Sequence, residues 1–527
     1  MLIKFIVSII PVIPYIFLKS KKSLHMLQQN WYNDGNRYLK WINNNKKKVF
    51  NNIDILFIVF IFGLFINKLL LMTLFIIFYC VISLLYLKKI KNEKQVKPLV
   101  FTKRIKRLVI TTYLIYILLI LISSLTFNEE YLTYYYLIFG LTIYLNYFVV
   151  YLANIINKPI EKMINNNFKR KAIKKLNNMS NMKVIGITGS YGKTSSKNIL
   201  NDILNVKYNS FPTPKNFNTP LGLIITINNH LDKFNDLFIA EMGAFKKGEI
   251  KELCDLVHPT YGILTKIGVA HLESFGSQEN IQQGKFELIE SLPSDGIGIL
   301  NFDDPLQVNY KLKNNCKIVT IGIDNKDVDV RATDIKLTNS GTTFNVLFKG
   351  DKNKYKFETK LLGKANVYNI LAGIALGYNL NISIEQLMIG VKKVKPVEHR
   401  LELKKMGNIN IIDDAYNANP DGTKMALDVL NSMPGKKIVI SSGMIELGSK
   451  EYELNEELGE YMKDRADQVI LLGKELTKPI YDGLIKTKFK KENIFVLNDI
   501  KEAIELIKNE KEDTYVLIQS DLPDIFN

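Results

Sequence analysis

The stretch "VIGITGSYGKTSSKNIL", Val184–Leu200, decides how the rest of the chain is read. An apolar run of strand character meets a glycine-rich turn, then Lys193, Thr194 and Ser195, then a segment of helical pattern. Gly189 and Gly192 free the backbone to aim N–H groups at an anion, and the following helix adds the positive end of its dipole. Lys193 is placed to neutralise β/γ-phosphate charge, and Thr194 to ligate Mg²⁺. The general phosphate-loop pattern has a glycine at position 187, where this chain carries Ile187, so as a generic loop it is imperfect.

At 527 residues the chain has room for about three domains. Its net charge of +18 is unevenly spread. Residues 1–180 hold 26 Lys and Arg against 6 Asp and Glu, a net of +20, which leaves −2 for the remainder. The basicity therefore belongs to the N-terminal third, and the rest is not marked as a nucleic-acid binder. Cys80, Cys254 and Cys316 are too scattered for a zinc ribbon or a disulfide framework, and reduced thiols fit the cytoplasm.

Apolar runs at about 2–18, 53–66, 69–87, 108–127 and 132–152 predict a membrane domain. The first two runs are short for a span, and one or two of the five could be re-entrant or interfacial. Leu2–Leu18 could be read as a signal peptide. It has only Lys4 in its n-region, contains Pro11 and Pro14, and lacks a small-residue cleavage site, so an uncleaved anchor is expected. Basic loops at 19–52 and 88–107, and the basic stretch from Lys158 to Lys175, predict five spans with the N-terminus outside and everything after about residue 153 in the cytoplasm. Topology alone suffices to explain these charges, although contact with anionic lipid head groups is the sharper alternative. Tyr131, Tyr134, Tyr135 and Tyr136 suit an interfacial belt.

From Met182 the pattern alternates between short apolar strands and helices, as in "DLFIAEMG", "YGILTKIG", "GIGILNFDD" and "CKIVTIGID". A mostly parallel, helix-covered sheet follows. Residues 328–360 switch to period-two alternation, an antiparallel insertion, and a helix is expected at about 366–379. A second α/β segment begins near 400 with "INIIDDAYNANP", "KKIVISSG", "QVILLG" and "TYVLIQS". The expected architecture is an N-terminal α-helical transmembrane bundle (1–158), a basic linker (159–181), a P-loop ATPase domain with a parallel sheet (182–398) and a smaller Rossmann-like α/β domain (399–527). Glu241 and His271 fall at predicted strand ends, where α/β sheets place ligand groups, and with the phosphate loop they make a plausible Mg²⁺ shell. Lys285 lies on a predicted helix and by position alone reads as a surface lysine.

"GITGSYGKTSSK" resembles the ATP loop of the Mur ligase family, which departs from the general pattern in the same way. "EMGAFKKGEI", "AHLESFGS", "IDDAYNANPDG" and "SGMIELG" are similar to the MurF branch, which adds D-alanyl-D-alanine to the UDP-muramoyl tripeptide of peptidoglycan. The resemblance covers about 182–527. It implies an ATP- and Mg²⁺-dependent carboxylate–amine ligase with two metal ions. Gly189, Ser190, Tyr191, Gly192, Lys193, Thr194 and Ser195 would cradle ATP, with Thr194, Glu241, His271 and Lys285 at the metals. Lys285 matches the lysine that the family carbamylates; Asn366 would contact the nucleotide, Arg400 the phosphates, and Asp414 the ribose, with Tyr416 and Asn417 nearby. Lys193, Glu241, His271 and Lys285 are the expected catalytic set.

Three departures from the family stand out. Ala365 replaces the usual His, "QSDLPD" (Gln519–Asp524) replaces the usual Lys-Gly-Ser-Arg-like loop, and the membrane domain stands where a UDP-binding domain is expected. The expected partners are therefore a muramoyl-peptide acceptor, UDP- or lipid-linked, an amino acid or dipeptide amine, and membrane lipids, with no nucleic acid. The expected location is the bacterial cell membrane, multi-pass, with the ligase domains cytoplasmic. A Mur-like ligase acting on a glutamyl carboxylate, and a membrane scaffold that binds nucleotide without catalysis, are the alternatives.

Overall fold

A computed structural model describes every residue except 51, 93–97, 339–340, 408, 416–417, 446, 509, 511–512 and 520–527. The chain divides into two compact units, Met1–Asn167 and Phe168–Asn527.

The first unit is helical. Leu2–Ile9 and Val12–Gln29 flank a break at Ile10–Pro11, where proline cannot continue the hydrogen-bond ladder. Lys68–Asn92, Lys103–Leu125, Leu132–Tyr144 and Asn146–Asn177 are the other long helices. Among the described residues, three helices are long and apolar enough to cross a membrane: Leu2–Gln29, Lys68–Ile90 and Lys103–Leu125. A fourth arises if Glu129–Tyr144 and Asn146–Asn177, bent by 74°, count as one span.

The sequence predicted five spans, and the differences lie at 132–152, whose helix is broken by the 74° bend after Tyr144, and at 53–66. That run forms an 11-residue 3₁₀ helix, Asp54–Leu64. At about 2 Å of rise per residue it falls short of the ~30 Å hydrocarbon core. With only Lys68–Ile90 between them, the basic loops 19–52 and 88–107 would fall on opposite sides rather than on one, so charge alone does not set orientation.

Lys19, expected in a basic loop, lies inside helix Val12–Gln29 and is 2 % exposed. Its ammonium pairs with buried Asp54 at 2.7 Å, and Tyr15 also donates to that carboxylate. A buried charge is tolerated when it is paired and hydrogen-bonded in this way. The tyrosine belt is also only partly at the surface. Tyr131 and Tyr134 are exposed, whereas Tyr136 is fully buried, stacked on Phe75 and bonded to Ser8.

The second unit holds two sheets. The first runs β2 (Ser210–Pro212), β3 (Leu237–Glu241), β1 (Lys183–Thr188), β4 (Tyr261–Leu264), β5 (Ile297–Asn301), β6 (Lys317–Gly322), β7 (Val330–Thr338), β8 (Gly341–Phe348) and β9 (Tyr355–Thr359). Pairing is parallel from β2 to β7 and antiparallel across β7, β8 and β9. The expected antiparallel insertion thus extends the parallel sheet. β1 is an interior strand, between β3 and β4, with every residue after Lys183 buried, which explains its unbroken apolar run.

The second sheet runs β10 (Glu402–Met406), β11 (Ile409–Asp414), β15 (Thr514–Gln519), β12 (Lys436–Ser441), β13 (Gln468–Leu472) and β14 (Ile494–Leu497). It is parallel except for the edge strand β10. The basic segment expected as a linker after 158 is helical through Asn177.

Candidate active site

The phosphate loop joins the C-terminal end of β1 to helix Lys193–Leu204. Gly189 has φ +152°, and a Cβ there would lie 1.9 Å from Thr265 Oγ1, so no other residue fits. Gly192, at φ +82°, is the helix N-cap, and no side chain caps the first turn. Its N–H groups are thus left to an anion.

Lys193 Nζ turns back onto the carbonyl oxygens of Gly189 and Ser190, at 2.8 and 3.2 Å. Burial lowers its pKa to about 8, with Glu241 opposing and Arg400 reinforcing the shift. A cleft of about 200 Å³ opens over this loop. The loop residues Ser190–Ser195 line it, as do Asn216, Asn218, Glu241 and His271 from the same lobe and Arg400, Asn419 and Leu447 from beyond residue 398. The salt bridge Lys266–Asp421, 3.1 Å, links the same two parts of the unit.

Glu241 ends β3 and is 1 % exposed. Its Oε1 accepts from Thr194 Oγ1 at 3.1 Å and Asn218 Nδ2 at 3.2 Å, and its Oε2 accepts from Lys197 Nζ at 3.0 Å. The Thr194 hydroxyl and the Glu241 carboxylate are hard oxygen donors at one point, with the Asn218 amide N–H bonded to the same carboxylate oxygen. They suit an Mg²⁺ ion that keeps several waters and takes phosphate oxygens from its nucleotide. No group of three or more His, Cys, Asp or Glu able to hold a metal occurs among the described residues.

His271 lies in the same cleft, in a left-handed conformation (φ +62°), edge-on to Phe245. Burial, Lys193 and Lys285 push its pKa down to about 4, so the imidazole is neutral and able to act as a ligand near neutral pH. Lys285, read by position as a surface residue, is 1 % exposed on helix Gln278–Glu290. Its Nζ is 3.4 Å from Ala244 O and sits over the Phe275 ring. Burial and the Lys193 charge hold its pKa well below the ordinary lysine value.

The expected residues farther along the chain separate. Arg400 lines the cleft. Asp414 is absent from its lining. Burial pushes the Asp414 carboxyl up to about 7, with Arg400 opposing, and its Oδ1 accepts from Leu401 N–H at 3.2 Å. Tyr416, Asn417 and the stretch 520–524 of the C-terminal loop lie outside the described residues.

A second cavity of about 210 Å³ adjoins Tyr191 and Gly192 and is lined by Thr265, Asn301, Asp303, Ala365, Tyr368 and Asn369, among others. Asn366 is not part of that wall. It is buried, and its amide donates to Leu362 O at 2.8 Å. Helical spacing explains this, because 365, 368, 369 and 372 share a face and 366 is turned about 100° from 365.

Sequence reasoning missed Asn369, Asn218 and Lys197. The first repeats Asn366 one turn on. The second sits in the Asn- and Pro-rich "PTPKNFNTP", which gives no periodic signal. The third reads as an ordinary helix lysine.

Residues 187–377 match the family model of the Mur ligase middle domain, and 399–522 that of the Mur ligase, glutamate ligase domain. The chain is 34 % identical over 330 residues to the UDP-N-acetylmuramoyl-tripeptide--D-alanyl-D-alanine ligase of Bacillus subtilis, covering 62 % of this chain and 70 % of that one. It is 30 % identical over 296 residues to the Escherichia coli protein of the same name, covering 56 % and 65 %. The crystal structure of MurF ligase from Thermotoga maritima in complex with ADP is similar, with a TM-score of 0.61 and 27 % identity over 68 % of this chain and 80 % of that one.

Proposed function

The chain belongs to the Mur ligase family, and from that premise we propose that it is an ATP-dependent carboxylate–amine ligase of peptidoglycan synthesis. It joins D-alanyl-D-alanine, or a related amine, to a muramoyl-tripeptide carboxylate. In this reading 182–398 is the nucleotide domain and 399–527 the domain that closes over it. The observation that carries the proposal is the convergence on one cleft of an uncapped glycine-rich helix start, Lys193, and the Thr194–Glu241 oxygen pair bridged by Asn218.

The acceptor carboxylate oxygen attacks the γ-phosphorus of ATP, a P–O bond forms, and the bond to ADP breaks. The amine then attacks the acyl carbon, and phosphate leaves with the former carboxylate oxygen as an amide forms. Gly189, Ser190, Tyr191, Gly192, Lys193, Thr194 and Ser195 hold the phosphates, and Lys193 releases its carbonyl partners to neutralise charge on the transferring group. Mg²⁺, when bound, would supply further charge neutralisation, with Thr194 and Glu241 as the residues to hold it and Asn218 orienting the carboxylate.

The second cavity takes the nucleoside, with Asn369 and Tyr368 on its wall. Arg400, on the cleft wall, is assigned to the phosphates. The family resemblance assigns Asp414 to the ribose; it feels the Arg400 charge but lines neither cavity. Lys285 is a buried amine whose pKa is held low, the state that attacks CO₂. A new N–C bond and the loss of one proton would convert it to a carbamate, which with neutral His271 would serve a second metal ion.

A second reading concerns the carrier of the acceptor. Among the described residues, three helices, or four with the bent pair, are long and apolar enough to cross a membrane, which favours a multi-pass protein of the bacterial cell membrane, in contact with lipid and acting on a lipid-linked muramoyl peptide. Its need for ATP places the ligase domains on the cytoplasmic side.

The test uses full-length protein in detergent, ATP, Mg²⁺ and D-alanyl-D-alanine, with UDP-linked or lipid-linked muramoyl tripeptide. Phosphate release that requires both acceptor and amine is expected. Preference for one acceptor assigns the carrier, and no acceptor-dependent turnover with either would sink the proposal.

A further inference from the structure

Lys197 lies one helical turn beyond Lys193 and is buried, 1 % exposed. The cleft lining does not include it, so it does not stand among the groups that meet a nucleotide. Its ammonium reaches in two directions. One is Glu241 Oε2, at 3.0 Å. The other is the carbonyl oxygen of Lys215, to which it also donates.

The two oxygens of Glu241 are thereby divided. Oε2 is taken by the buried ammonium, while Oε1 is shared by Thr194 and Asn218, both residues of the cleft wall. Lys215 itself is in the left-handed region at φ +49°, which costs a residue with a side chain of the order of 1 kcal/mol or more. The turn it strains presents Asn216 and Asn218 to the cleft. The Glu241 N–H also donates to Thr213 Oγ1, at 3.2 Å, so the carboxylate residue and the turn are tied at two points.

We propose that Lys197 is a positioning residue that reserves Glu241 Oε1 for the divalent cation of the bound nucleotide and locks the Lys215–Asn218 turn to the same carboxylate. The proposal rests on the ATP- and Mg²⁺-dependent reading above. It separates the two lysines of this helix: Lys193 acts on phosphate, and Lys197 acts on the carboxylate beside it. A buried ion pair is by itself weak grounds for a functional role, because such pairs also occur as plain structure. The division of the carboxylate oxygens is what points to the cation.

The experiment compares Lys197→Met, which keeps the stem and loses the donors, with Lys197→Gln, which keeps a neutral donor. Binding of ADP is measured by calorimetry in EDTA, and binding of Mn²⁺ to the protein–ADP complex by electron paramagnetic resonance. For Lys197→Met, Mn²⁺ affinity is expected to fall roughly 10- to 100-fold, the cost of losing a group that orients a metal ligand. ADP binding in EDTA is expected to stay within about twofold, since phosphate is held by the loop. Lys197→Gln should recover part of the Mn²⁺ affinity and serves as the readout if the methionine variant does not fold.

Unchanged Mn²⁺ affinity in a folded variant would overturn the proposal. So would a parallel loss of ADP binding in EDTA, which marks a role confined to holding the fold. Neither arm needs an acceptor. Failure of the unsubstituted protein to bind ADP would instead count against the ligase reading itself.

Discussion

The hydroxyl of Thr194 stands 3.1 Å from Glu241 Oε1, joining the first turn after the phosphate loop to the last residue of β3. The two strand ends are held together by parallel pairing of β1 with β3, in which Ile187 faces Glu241. On the proposed reading, a carboxylate fixed this way would keep its charge where a nucleotide-bound cation needs it. Glu241→Gln keeps the shape but removes that charge and turns one of the two acceptor oxygens into a donor. Turnover at saturating ATP should fall about 100-fold or more, the scale of losing one preorganised electrostatic contact. Phosphate release as a function of Mg²⁺ checks it, and a variant with unaltered Mg²⁺ dependence would contradict the assignment.

Lys193 carries a pH prediction. Its pKa is about 8 in the nucleotide-free protein, against an ordinary 10.5. The value of kcat/KM for ATP reports the free enzyme, so it should decline above about pH 8 as the ammonium is lost. Stability should move the other way. Between the two values the unfolded chain binds more protons than the folded one, so this group's contribution to stability rises with pH across the window and is lost as pH falls through about 8. Activity that falls while the melting temperature holds or rises would separate titration from unfolding.

Lys285→Ala should abolish turnover if a carbamate forms there, by at least about 100-fold. Turnover of the unsubstituted protein should fall in solutions stripped of CO₂ and bicarbonate and return when they are restored. Native mass spectrometry should show a species heavier by one CO₂ that Lys285→Ala lacks. Full activity of Lys285→Ala would remove the residue from the site.

Asn366 and Asn369 should part company. Asn369→Ala removes a side chain from the second cavity and is expected to raise KM for ATP about tenfold, near 1.4 kcal/mol. Asn366→Ala breaks the bond to Leu362 O and should cost about 1 kcal/mol of stability with KM for ATP little changed. Thermal melting and steady-state kinetics together distinguish them, and the reverse pattern would return the nucleotide contact to Asn366.

Much of the ligase unit was legible because its signals are local. β1 is a central strand buried on both faces, so its apolar run is continuous, and the turn after it demands glycine at 189 on steric grounds. β10 and β14 were missed: both are short outer strands of their sheet, with only partly buried patterns. Lys285 was misread by position because neighbouring elements, not its own helix, bury it, and only the family resemblance flagged it.

The N-terminal unit was legible in composition and less so in count. Apolarity finds the runs at 53–66 and 69–87 equally well. It does not reveal that the first winds as a 3₁₀ helix, nor that Lys19 and Asp54 pair across the bundle. Both depend on contacts between segments distant in sequence.

Activation of the acceptor as an acyl phosphate is the central claim, and isotope transfer tests it most directly. Muramoyl tripeptide labelled with ¹⁸O in both oxygens of its reacting carboxylate is incubated with the protein, ATP, Mg²⁺ and D-alanyl-D-alanine, and the released phosphate is weighed by mass spectrometry. One ¹⁸O per phosphate is predicted, with the other retained in the amide. Phosphate free of label, alongside labelled amide product, would contradict the account.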